Sequence, residues 1–94
     1  MNIKIKEAIG LLQEECAEVI VEVSKCNRFG LDSVHYKTNL AHRTMLETEI
    51  GDVLCLVDYL IEQGLLDTAR LEQAKAAKKE KLKKWSTIYE VESK

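Results

Sequence analysis

Residues 5–23 read IKEAIGLLQEECAEVIVEV, and the spacing of their apolar members decides the fold. Ile5, Ile9, Leu12, Cys16, Val19 and Val23 recur at intervals of 4-3-4-3-4, one continuous stripe on an α-helix. The same period returns downstream, where Leu46, Ile50, Val53, Val57 and Leu60 are spaced 4-3-4-3. A third segment, about Thr68 to Trp85, is weaker. Leu71, Ala74, Leu82 and Trp85 share a face there, while lysine, alanine and glutamate fill most other positions. The absence of proline and a total of four glycines favour helix throughout.

The breaks fall between these patterns. Gly30 follows Phe29 just past the first stripe, Gly64 closes the second, and Asp67 or Thr68 can cap the third. Helices are therefore predicted at about 2–28, 44–63 and 67–85, with a loop over 29–43. That loop, FGLDSVHYKTNLAHR, has no clear period and is long for a helix–helix connection. The closing STIYEVESK reads as a short extension or a disordered tail. The expectation is a single all-α domain, 1–94, with three main helices per chain. A chain this short buries only about two-thirds of its unfolded surface, which leaves a thin core. A four-helix-type bundle completed by a homodimer or homotetramer would remedy that.

Composition removes several classes of function. Fourteen basic and 16 acidic residues give a net charge of -2, so nothing electrostatic draws the chain to nucleic acid or to an anionic membrane. No stretch is apolar enough to span a bilayer, and MNIKIKEAIG lacks the hydrophobic run of a signal peptide. A soluble, cytoplasmic protein is expected. The three cysteines, Cys16, Cys26 and Cys55, are odd in number and form no CxxC, which speaks against a disulfide framework or a zinc site. They read as reduced thiols packed like small apolar residues.

The informative chemistry is acidic. Glu15 and Glu18 stand three apart on the first helix, as do Glu49 and Asp52 on the second, so each pair shares a face. Glu15 lies about 80° from the middle of its stripe and Glu49 about 70°, with Glu18 and Asp52 further round. Both pairs leave from the shoulder of the buried face, and packing the helices side by side would bring four carboxylates to one cleft. Such a group repels itself unless positive charge compensates, and hard divalent cations with oxygen ligands supply it. Each pair alone is an ordinary solvated helix face; two pairs in matching positions are less ordinary.

Other signals are weaker. Lys25 and Arg28 follow the first acidic pair, and Lys37 and Arg43 lie in the loop. Lys78 sits in the middle of the third apolar face, where a lysine either snorkels outward or reaches the cleft to meet a phosphate, and Lys81 could do the same. His35 and His42 do not match an HExxH zinc pattern and are expected to be solvent-exposed. No serine sits in a G-x-S-x-G context and no glycine-rich phosphate loop is present, so any phosphate must be held by metal and side chains.

The stretches LLQEECAEVIVEVSKCNRFG and LETEIGDVLCLVDYLIEQG resemble the MazG-like nucleotide pyrophosphohydrolases of the all-α NTP pyrophosphatase superfamily. The family pattern E-E-x-x-E, spacer, E-x-x-D reads here as Glu14-Glu15-Cys16-Ala17-Glu18 and Glu49-Ile50-Gly51-Asp52, with a gap of 30 residues between them. Ser24-Lys25 and Arg28-Phe29-Gly30 match the S-K-x-x-R-F-G segment of the short phage or bacterial versions. The resemblance covers roughly residues 8–85 and implies an oligomeric helical bundle. It implies magnesium, with manganese as a substitute, held by Glu15, Glu18, Glu49 and Asp52. It also implies hydrolysis of a nucleoside triphosphate to the monophosphate and pyrophosphate. Glu14 or Glu18 is then the candidate general base, Lys25, Arg28, Lys78 and Lys81 are candidate phosphate contacts, and Asn39 is a candidate contact to sugar or base. Two alternatives stand beside this: a non-catalytic helical interaction protein, and a phosphoribosyl-ATP pyrophosphohydrolase, whose features outside the acidic motif are not evident.

Overall fold

The computed structural model describes residues 1–91. Its elements are α1 (Ile3–Phe29), α2 (His42–Glu62) and α3 (Thr68–Trp85), with no strand among the described residues. The all-α expectation holds. Residues 92–94, the end of the expected tail and of the 1–94 domain, lie outside the described residues.

Each helix starts and stops for a local reason. Asn2 opens α1, its side-chain oxygen accepting from the Ile5 N–H at 2.8 Å. Gly30 closes it at φ 94°, ψ 153°, a region in which only glycine is comfortable. α2 begins at His42, two residues before the apolar period predicts. The first N–H groups of that helix are tied back to the loop, His42 donating to the Ser33 carbonyl at 3.0 Å and Arg43 to that of Leu31 at 2.8 Å. Asp67 caps α3 by accepting from the Ala69 N–H.

The connection between α1 and α2 is shorter and more ordered than its sequence suggests. Val34 and Ala41 form an antiparallel bridge, and the His35 N–H donates to the Leu40 carbonyl at 2.9 Å. Asn39 turns the chain at φ 58°, a conformation asparagine tolerates better than most residues, and its N–H donates to the His35 carbonyl. The Arg43 guanidinium reaches Asp32 at 3.0 Å and clamps the base of the turn.

α1 packs antiparallel on α2, so Lys4, Ala8 and Leu11 near its start lie beside Leu56 and Tyr59 near the end of α2. The least exposed positions of α1, Lys25 apart, are Ile5, Ala8, Leu12, Glu15, Val19, Glu22 and Cys26. Their counterparts on α2 include His42, Leu46, Glu49, Val53, Leu56 and Leu60, and Leu60 is only 1 % exposed. Both seams are rotated by roughly 40–50° from the stripes read in the sequence, each toward the carboxylates. The reason is visible on the other flank. Ile9, Cys16, Ile20 and Val23 of α1 form a second apolar face, and Ile50, Leu54, Val57 and Ile61 form one on α2. The stripe seen in sequence is the average of two apolar faces, of which one is packed in the α1–α2 seam and the other is largely open. Cys16 and Cys55 are accordingly exposed rather than packed, and Cys26 is half-buried.

α3 does not pack on α2 as α1 does; an open groove lined by Leu54, Val57, Ile61, Leu71 and Leu82 lies between them. Trp85, expected on that apolar face, is 77 % exposed. The radius of gyration is 16.6 Å, against about 12 Å for a compact chain of this length. No helix among the described residues is long and apolar enough to cross a membrane.

Candidate functional site

The antiparallel packing sets Glu15 of α1 opposite Glu49 and Asp52 of α2, and one carboxylate oxygen of each lies within 4.8 Å of the others. Glu15 and Glu49 are half-buried in the seam, while Asp52, one turn on from Glu49, is exposed at its edge. The rotation of the seam explains this. Residues expected on the shoulder have become part of the interface, and only Asp52 and Glu18 stay outside. Glu18 is exposed and does not join the group of three, although its charge is felt at Glu49.

Among the ion pairs of the described residues, none neutralises Glu15, Glu49 or Asp52. The consequence falls on Glu49. Desolvation, and then the charges of Asp52, Glu15, Glu18 and Glu22, raise its carboxyl pKa above the usual carboxylate value.

Glu22 is the residue the acidic motif did not include. It is 5 % exposed, one oxygen 3.4 Å from the Lys25 ammonium and the other with no hydrogen-bond partner. A buried, half-satisfied carboxylate is costly and needs a reason to persist. The signal for it was present: Glu22 is seven residues after Glu15, so it returns to the same angular position two turns along α1.

The remaining candidates fall in different places. Glu14 is exposed and lies about 100° around the helix from Glu15, away from the cluster. Lys25 and Arg28 come together near the end of α1, beside Phe29, Ser33, His35 and His42, around a pocket of about 320 Å³. Asn39 is exposed in the turn. Lys78 lines the groove between α2 and α3 with Leu54 and Asp58, on the flank of α2 away from Asp52. Lys81 is exposed on α3. Neither lysine meets the carboxylates within one chain.

The two histidines are not the exposed polar residues the sequence suggests. His42 is 3 % exposed, stacked on Phe29 at a ring separation of 5.5 Å, with His35 edge-on at 5.9 Å. The hairpin-like turn is what brings His35 back onto the start of α2, and seven residues of sequence spacing carry no hint of it. Comparison with protein-family models, curated proteins and solved structures finds no match to this chain.

Proposed function

We propose that this chain is a magnesium-dependent nucleotide pyrophosphohydrolase of the MazG-like kind its motifs resemble, cleaving a nucleoside triphosphate or a modified nucleotide to the monophosphate and pyrophosphate. One observation carries the reading: Glu15, Glu49 and Asp52, from two helices, hold carboxylate oxygens within 4.8 Å of one another with no cationic side chain paired to them. The donor set suits magnesium, a hard cation that takes carboxylate oxygens and leaves positions for substrate phosphates. The Glu49 carboxyl is raised by burial first and then by the neighbouring carboxylates, and a bound cation would offset both. When bound, the ion supplies charge that offsets the phosphate oxygens and makes a neighbouring water more acidic.

The chain's own residues divide the remaining work. Glu15, Glu49 and Asp52 would hold the ion at the open edge of the seam. Glu18, close enough to act on Glu49 yet outside the group of three, is free to take the proton of the attacking water. Glu14, on another face, is the poorer base. Lys25 and Arg28 stand further along α1 as phosphate contacts.

The same proposal includes a homo-oligomer. The accessible surface is 7725 Å², roughly 2,200 Å² more than a compact chain of this mass exposes. That excess is of the size an obligate subunit interface hides. It includes Ile20, 70 % exposed, and Leu54, on the apolar flank opposite the carboxylates. A second copy placed there would complete a four-helix core and leave the acidic edge open.

Pyrophosphate release from a panel of NTPs, dNTPs, modified nucleotides and phosphoribosyl-ATP, with magnesium or manganese, tests the activity. Turnover should be abolished by Glu49→Gln and by Asp52→Asn, and unchanged turnover in both variants would sink the site. The exposed apolar flank gives a non-catalytic interaction protein some footing as a second reading. Metal binding without turnover on the whole panel would favour it.

A further inference from the structure

We propose that the pocket between the start of α1 and the end of α2 binds the nucleobase of the substrate, with Lys4 and Glu7 reading its edge in favour of guanine. The choice of a base as occupant rests on the nucleotide reading of the acidic group. The pocket itself is a separate feature, about 310 Å³ in volume and lined by Lys4, Glu7, Ala8, Leu11, Leu56 and Tyr59. That is the low end of the range for small-molecule sites, enough for a base but not for a whole triphosphate.

Its position follows from the antiparallel packing. Leu11 stands four residues before Glu15, and Leu56 four residues after Asp52. On antiparallel helices both steps run the same way, about 6 Å along the seam from the carboxylates. Both leucines also share the angular sector of the acids on their own helix, so pocket and carboxylates open on one edge. One sugar spans that gap. Lys25 and Arg28 lie beyond the carboxylates in the opposite direction. A nucleotide laid along this edge therefore has one favoured polarity, its phosphates toward the cations and its base toward Leu11.

The chemistry of the walls agrees. Leu11 is 40 % exposed, and Tyr59 stacks on no other ring and under no cation among the described residues. Apolar walls and a free aromatic ring suit a planar partner. Lys4 and Glu7 are exposed, and neither forms an ion pair among the described residues. One carboxylate beside one ammonium repels as much as it attracts a phosphate, but it can read a base edge. Lys4 donates to a carbonyl and Glu7 accepts from an adjacent N–H. Guanine presents O6 beside N1–H and an exocyclic amine, two donors for one carboxylate, whereas adenine has no carbonyl for Lys4.

The test is NMR of the leucine methyl and tyrosine ring signals of the full chain in EDTA, titrated with guanosine, adenosine and ribose 5-phosphate. Guanosine should shift Leu11, Leu56 and Tyr59 saturably and more tightly than adenosine, and ribose 5-phosphate should not. Tyr59→Ala should weaken both nucleosides about fivefold or more, because stacking is indifferent to the base. Glu7→Gln, at an exposed position, should weaken guanosine about fivefold or more and leave adenosine unchanged. Saturable guanosine binding without turnover on any triphosphate would remove the proposed hydrolysis and keep this site. Turnover without saturation by guanosine, equal affinity for adenosine, or equal shifts with ribose 5-phosphate would each overturn the proposal. So would pocket signals that respond to protein concentration and not to guanosine, since a second copy of the chain would then fill the pocket.

Discussion

Replacing Glu49 with glutamine removes the charge at the centre of the acidic group while keeping its size. Glu15 and Asp52 present oxygens within 4.8 Å of Glu49, and one such pair repels by about 3.5 kcal/mol at an effective dielectric of 20 and about 0.9 kcal/mol in bulk water. Asp52 is exposed and Glu15 half-buried, so most of that repulsion is screened, and a net gain of about 1–2 kcal/mol is expected on neutralising Glu49. For a domain of this size each kcal/mol moves the melting temperature by about 4–8 °C. In EDTA, Glu49→Gln should therefore melt higher than the wild type, an unusual outcome for a substitution at a half-buried position.

Magnesium should reverse the order. A ligand at 100 times its dissociation constant stabilises the fold by about 2.7 kcal/mol, and the variant has lost a central ligand. The pH dependence supplies a second check. The Glu49 carboxyl is raised above 4.5 in the fold, so the folded state holds the proton more tightly than the unfolded chain. Its contribution is favourable where it is protonated and is lost as the pH rises through the folded value. The advantage of Glu49→Gln in EDTA should thus be largest at neutral pH and should shrink on acidification toward 4.5. Thermal melts by circular dichroism at one fixed protein concentration measure all of this. A lower melting temperature for the variant in EDTA, or equal magnesium shifts in both proteins, would refute the reasoning.

Two further outcomes bear on other parts of the molecule. Gly30→Ala forces a Cβ onto φ 94°, ψ 153° at the end of α1, and a loss of about 1–3 kcal/mol is expected in denaturant unfolding; an unchanged midpoint would contradict the conformation. Ile20→Glu and Leu54→Glu place charge on the apolar flank and should convert an oligomer to a monomer by light scattering, whereas an unaltered mass in both would remove that flank as the interface.

Much of this was open to a reader of the chain alone. The 4-3 spacing from Ile5 to Val23 and from Leu46 to Leu60 demands helices, and Asn2, Gly30 and Asp67 bound them through local hydrogen bonds and backbone preference. The acidic pairs were visible for the same reason, because residues three apart on a helix share a face whatever surrounds them. What periodicity could not resolve was direction. A broad apolar surface has one average angle but can serve two partners, and only packing revealed that α1 and α2 meet on the carboxylate side of that average. The choice drew Glu15 and Glu49 into the seam, buried Glu22 beside Lys25, and left Ile20 and Leu54 on an open flank. The His35–His42 cluster was equally hidden, since it depends on a turn closed by backbone hydrogen bonds rather than on any side-chain pattern. Local structure follows from near neighbours in the chain; the choice among faces belongs to the contact between helices, where burial and charge repulsion are weighed together.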